Sequence, residues 1–126
     1  MSYSDFLGEP PLIAGMMRLH DHPDLCRPAN LAAWIEQRLD QGVDTFDHAD
    51  IYGDGECERR FGDALAAAPA LRDRLRIITK TGIVPAHRDS SGWHTKHYRA
   101  EADHVTGAID ASLARLRVEQ VDTFLI

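Results

Sequence analysis

Gly42-Val43-Asp44-Thr45-Phe46-Asp47-His48-Ala49-Asp50-Ile51-Tyr52-Gly53 reads as a short strand that leaves a helix and stops in carboxylates, a histidine and a tyrosine. Ending an apolar strand in ionisable groups is poor economy for stability alone, because desolvating an unpartnered polar group costs several kcal/mol. Asp47 and Tyr52 are therefore the first candidates for chemistry, and Lys80, at the end of the next apolar run, is the third.

Working outward, the flanking sequence alternates between strand and helix patterns. Leu12-Ile13-Ala14, ending at Gly15, resembles a parallel strand buried on both faces. Asn30 is the expected cap of a helix running to about Gln41, with Leu31, Trp34, Ile35 and Leu39 at helical spacing and Gly42 at the C-terminal cap. Trp34 belongs to that core face. A second helix is expected from Glu56, with Cys57, Phe61, Ala64, Leu65 and Ala68 on one face and Pro69 as its stop. Glu56 and Glu58 suit a helix N-terminus, and Asp50 reads as a solvated turn residue.

Leu75–Lys80 forms the third strand, and Val121–Ile126 the fourth, after a helix over Ala102–Arg117. Residues 81 to 98 show neither period and read as a long loop, functional or disordered. Strand, helix, strand, helix, strand, helix, strand implies a parallel α/β sheet with right-handed crossovers. Asp47, Tyr52 and Lys80 all fall at or beyond strand C-termini, the edge where parallel α/β folds place their sites. No internal repeat is visible. Residues 1–126 suit one domain with room for a sizeable core.

Composition narrows the function classes. A formal charge of −6 argues against a nucleic-acid partner, which requires a basic face. No apolar run approaches the roughly 20 residues that span a bilayer. The first residues, Met1-Ser2-Tyr3-Ser4-Asp5, lack a secretory signal pattern. Cys26 and Cys57 have no paired spacing, so reduced thiols in a cytoplasm are expected. His20-x-His22 and His94-x-x-His97 invite a metal, but neither brings a third ligand at a recognised spacing, so none is expected. His48 reads as a neighbour of the site, not its acid. Gly53-Asp54-Gly55 is wrongly placed for a dinucleotide fingerprint.

The three candidate residues suggest one chemistry. A lysine ammonium beside a tyrosine favours phenolate, and an aspartate keeps that lysine charged and oriented. Such a tyrosine can give a proton to a carbonyl oxygen or take it back from an alcohol. Hydride would have to come from a cofactor, since no side chain supplies it.

Gly42–Gly53 resembles the aldo-keto reductase signature, in which a glycine-led strand delivers Asp-x-Ala-x-x-Tyr. Ile77-Ile78-Thr79-Lys80 resembles the strand bearing that family's lysine. Ser112-Leu113-Ala114-Arg115-Leu116 with Val121-Asp122-Thr123-Phe124-Leu125-Ile126 resembles the helix and strand that follow. The match is best to the family's bacterial oxidoreductase branch.

The resemblance implies a TIM (β/α)8 barrel, here its N-terminal half of about four parallel strands and three helices. It also implies NADPH-dependent reduction of an aldehyde or ketone. Tyr52 would be the proton donor, Lys80 its cationic partner and Asp47 the carboxylate holding Lys80. Gly15 and Met16, with Asp47, match positions near the nicotinamide; Met17 and Trp93 are candidates for the substrate pocket. The family's fourth catalytic residue, a histidine, would follow the strand matched by Val121–Ile126, so residues 1–126 alone are expected to be inactive. Four strands cannot close a barrel, and the exposed sheet edges predict association. The alternative is a non-catalytic half-barrel that binds a partner or a second copy through those edges.

Overall fold

The chain runs β1 (Ile13–Gly15), α1 (Pro28–Asp40), β2 (Thr45–Asp47), α2 (Glu56–Ala67), β3 (Arg76–Lys80), β4 (Ile83–Val84), β5 (His87–Asp89), β6 (Gly92–His94), β7 (His97–Tyr98), α3 (Ala102–Leu116) and β8 (Thr123–Leu125). This is the order in the computed structural model, which describes residues 12–126. The expectation for the first five residues lies outside the described residues.

The four expected strands form one parallel sheet in the order β1-β2-β3-β8. Neighbouring strands in the sheet follow one another in the chain, apart from the insertion of β4–β7, as expected for part of a barrel wound in one direction. Each strand is one or two residues displaced from its sequence-based bounds. The helices are within two residues of theirs.

Period-two alternation decides which side chains the sheet buries. Phe46 of β2 and Ile77 and Thr79 of β3 point to one face and are fully buried. There they meet Leu31 and Ile35 of α1, Phe61, Ala64 and Leu65 of α2, and Leu116 of α3. Phe46 lies 5.4 Å from Phe61 and 6.3 Å from Trp34, ring centre to ring centre, so Trp34 packs against the core as its spacing predicts. Thr45, Asp47, Ile78 and Lys80 project from the opposite face, which no helix among the described residues covers. The architecture is thus two layers, an open parallel sheet with helices on one side.

The open side corrects one expectation. Leu12 and Ile13 are 67% and 56% exposed, not buried on both faces. At the other edge Leu125 and Ile126 are similarly exposed. An apolar strand on a sheet edge has nothing to pack against on its free side.

Three local features set the helices in place. α1 begins at Pro28, whose missing N–H is no loss at a first helical position, so the start precedes the expected cap. Asn30 is instead inside the helix, and its side-chain amide donates to the Asp24 carbonyl at 2.9 Å. The helix ends as predicted, with Gly42 at φ +85° just beyond it. Gly62 in α2 permits close approach of α3: a Cβ there would stand 2.2 Å from the Arg115 carbonyl oxygen. Any larger residue would push the two helices apart.

Residues 81 to 98 are also corrected. They form an arm of two antiparallel ladders, β4 with β7 and β5 with β6, closed by the two-residue turn Ser90-Ser91. Among the described residues no helix is long and apolar enough to cross a membrane.

Candidate active site

The parallel register places Gly15 of β1 beside Asp47 of β2 and Asp47 beside Ile78 of β3. Beyond β2 the ladder continues, with His48 N–H donating to the Ile78 carbonyl and Asp50 N–H to the Lys80 carbonyl. Those bonds zip residues 45–50 along β3 and deliver two side chains of the open face, Asp47 and Lys80, to one place. Lys80 Nζ donates to Asp47 Oδ1 at 2.8 Å and to the His48 carbonyl at 2.7 Å.

Tyr52 follows on a turn. Gly53, Asp54 and Gly55 all take positive φ (58°, 55° and 87°), which reverses the chain sharply into α2. Two of the three being glycine makes that reversal inexpensive. The turn holds the Tyr52 ring with its centre 5.0 Å from Lys80 Nζ. Asp47 and Lys80 side chains are each about one-third exposed, at 31% and 30%, so the trio is open to a ligand. Partial burial pulls the Lys80 ammonium down, but bonding to Asp47 and Tyr52 outweighs it, and its pKa lies above the ordinary lysine value. The lysine is therefore a fixed cation at neutral pH.

The structure brings together Asp47, Tyr52, Lys80 and the backbone of Gly15 and Met16. Met16 N–H donates to the Asp47 carbonyl at 3.0 Å, while its side chain is 2% exposed and belongs to the core. Met17 and Trp93 are not enclosed in a pocket: both are exposed, Trp93 on β6 of the arm.

Several polar residues have roles that reading along the chain did not assign. Asp50 is not merely solvated, since Thr81 Oγ donates to its carboxylate at 2.6 Å. Glu58 is not a helix-end charge. It is fully buried, accepting from Thr79 Oγ at 2.8 Å, Ser112 Oγ at 3.1 Å, and Arg115 Nε and Nη2 at 2.9 and 2.7 Å. It thus ties α2 to β3 beneath the site and to α3. Its signal was present: Glu58, Phe61 and Leu65 share one helix face at i, i+3, i+7.

His48 supports Lys80 only through its carbonyl. Its ring is fully buried 4.5 Å from Phe61, and neither ring nitrogen has a hydrogen-bond partner among the described residues. Burial first, then the Lys80 charge, pushes its pKa down to about 3. With the folded value depressed, unfolded chains bind the proton first as pH falls below the ordinary histidine value. The fold should lose about 2 kcal/mol between pH 7 and pH 5 from this group alone, a loss absent in His48→Leu. Urea midpoints across that range, above most carboxylate titration, measure the difference.

The pattern describing the Aldo/keto reductase family matches residues 11–126. A 6-dehydroglucose reductase of Agrobacterium fabrum is 43% identical over 127 residues, covering 100% of this chain and 42% of its own length. Oxidoreductase YdhF of Escherichia coli is 40% identical over 114 residues, 90% of this chain and 37% of its own. The chain thus spans about two-fifths of the length of these relatives. Among solved structures, the glycerol dehydrogenase of Gluconobacter oxydans superposes with a TM-score of 0.68 at 25% identity, covering 90% of this chain and 34% of that one. An aldo-keto reductase from Klebsiella pneumoniae in complex with NADPH superposes at 0.60 and 22% identity, covering 92% and 34%. The four-stranded sheet is accordingly a half-barrel of the TIM type, and the chain belongs to the aldo/keto reductase family of oxidoreductases.

Proposed function

We propose that this chain carries the proton-transfer machinery of an NAD(P)H-dependent reductase that converts an aldehyde or ketone to an alcohol. The observation that supports this best is Lys80, hydrogen-bonded to Asp47 while standing 5.0 Å from the Tyr52 ring centre at one strand edge. In this reading the Tyr52 hydroxyl donates its proton to the carbonyl oxygen. The Lys80 ammonium stabilises the phenolate left behind, and Asp47 keeps that ammonium charged and aimed.

The cofactor fits the residues present. Apart from Gly15 and its two chain neighbours, no atom of the described residues lies within 4 Å of where a Cβ of Gly15 would stand, so a flat ring has room beside Asp47. Gly15 and Asp47 would line it, with Met16 contributing backbone. A bound nicotinamide supplies the hydride. NADPH in place of NADH rests on the family resemblance and on the NADPH complex of the Klebsiella relative. Met17 and Trp93 are proposed substrate contacts, and a cytoplasmic setting accords with Cys26 and Cys57 both being free thiols.

The test is a graft. Residues 1–126 replace the matching segment of the Agrobacterium reductase, and NADPH oxidation is followed with that enzyme's own substrate. Turnover by the graft is expected. A graft that folds by circular dichroism and binds NADPH yet does not turn over would overturn the assignment.

A second reading, self-association, is favoured by the exposed apolar edges: Leu12 and Ile13 on one, Leu125 and Ile126 on the other. It is compatible with the first. Either the rest of a barrel or another copy would cover the same residues.

A further inference from the structure

The arm formed by β4–β7 follows Lys80 directly but holds none of Asp47, Tyr52 or Lys80. It carries three of the chain's seven histidines. Strand pairing sets His87 opposite His94, and the Ser90-Ser91 turn brings Asp89 beside both.

Hydrogen bonds fix where the lone pairs point. His87 Nδ1 lies 3.0 Å from the Pro85 carbonyl oxygen, which can only accept. Nδ1 therefore carries the proton and Nε2 the lone pair. In the neutral ring that lone pair faces Asp89 Oδ2 at 3.9 Å. On the other side, Asp89 Oδ1 lies 3.0 Å from His94 Nε2 and also accepts from Ser91 N–H and Oγ–H at 2.8 and 2.6 Å. Ser91 Oγ and His94 Nε2 are 2.9 Å apart. These bonds orient the carboxylate, as outer partners orient metal ligands.

The two imidazoles lie face to face, 4.6 Å between centres and 7° from parallel. One ligand atom from each of His87, Asp89 and His94 falls within 4.8 Å of the others. A tetrahedral zinc ion with bonds of about 2.0–2.2 Å holds its donors roughly 3.3–3.6 Å apart. An ion bound by both rings must lie in both ring planes, so binding requires the imidazoles to turn out of their stack. That movement is left free at the surface, where the three side chains keep 42%, 48% and 36% exposure. Two imidazoles and one carboxylate suit zinc, nickel or copper and not calcium or magnesium. Spacing along the chain did not show this set, because β5–β6 pairing supplies the third ligand.

We propose that His87, Asp89 and His94 form a binding site for a divalent transition-metal ion of the zinc class at the tip of the arm. His87 and His94 bind through Nε2 and Asp89 through its carboxylate; His94 moves its Nε2 proton to Nδ1 or releases it. The bound ion cross-links β5 to β6 and stiffens the segment that presents Trp93. This inference is independent of the reductase reading.

Chelator-treated protein titrated with zinc sulfate by calorimetry tests it, with zinc-induced shifts of the backbone amide resonances locating the site. Saturable one-to-one binding is expected, with the largest shifts at residues 87–94. His87→Ala and His94→Ala should each weaken binding by at least about tenfold, the scale lost when even an outer partner of a metal ligand is removed. His22→Ala, at a histidine away from the arm, should leave it unchanged. Absence of saturable binding would overturn the proposal, as would shifts centred elsewhere or arm variants that bind zinc like the parent.

Discussion

Tyr52→Phe in the grafted barrel is expected to lower kcat by about 10²–10⁴-fold, the contribution typical of a positioned general acid. The change removes one oxygen and keeps the ring, so the 5.0 Å stacking distance to Lys80 Nζ and the turn into α2 should persist. NADPH affinity should stay within a few-fold, because the residues proposed to line the nicotinamide, Gly15 and Asp47, are untouched. A loss confined to kcat separates a proton donor from a packing residue. If Tyr52 only filled space, Phe would fill it equally well and turnover would survive. Steady-state kinetics with a thermal melt as the folding control decide the matter.

The second large effect is on the fold. Glu58→Ala should destabilise the chain by about 3–5 kcal/mol, because it strands the Arg115 guanidinium, 20% exposed, beside two hydroxyl donors without their acceptor. Against a total stability of roughly 5–15 kcal/mol, that is enough to unfold much of the population. Removing both charges should cost less than removing one: Glu58→Leu with Arg115→Leu leaves no uncompensated ion, and apolar replacements of buried pairs are often tolerated. Urea denaturation of the single and double variants measures this. A single variant within about 1 kcal/mol of the parent would show that the network is solvated and of little weight.

Much of the site was legible because a parallel α/β order has few ways to fold. Once the start of Gly42–Gly53 and Leu75–Lys80 read as successive strands, Asp47 and Lys80 had to emerge at one edge. The family motifs then tied both to Tyr52. What reading along the chain could not supply was contact across it. The arm went unrecognised because its strands bury neither face, so no apolar alternation marks His87–Asp89 or Gly92–His94. Glu58 was read as a helix-end charge, since carboxylates are rarely fully buried unless paired and its partners lie 21 to 57 residues away. The exposure of Leu12 and Ile13 follows from the open side of the sheet, which an apolar run does not reveal.

The central claim is that Tyr52, Lys80 and Asp47 act as one unit. A double-mutant cycle in the grafted barrel tests it most directly, comparing kcat for Tyr52→Phe, Lys80→Met and the two combined. Groups that serve a single proton transfer are strongly non-additive. The double variant is therefore predicted to be no more than a few-fold slower than the slower single variant. Effects that multiply, each change costing its full factor in the presence of the other, would contradict the account.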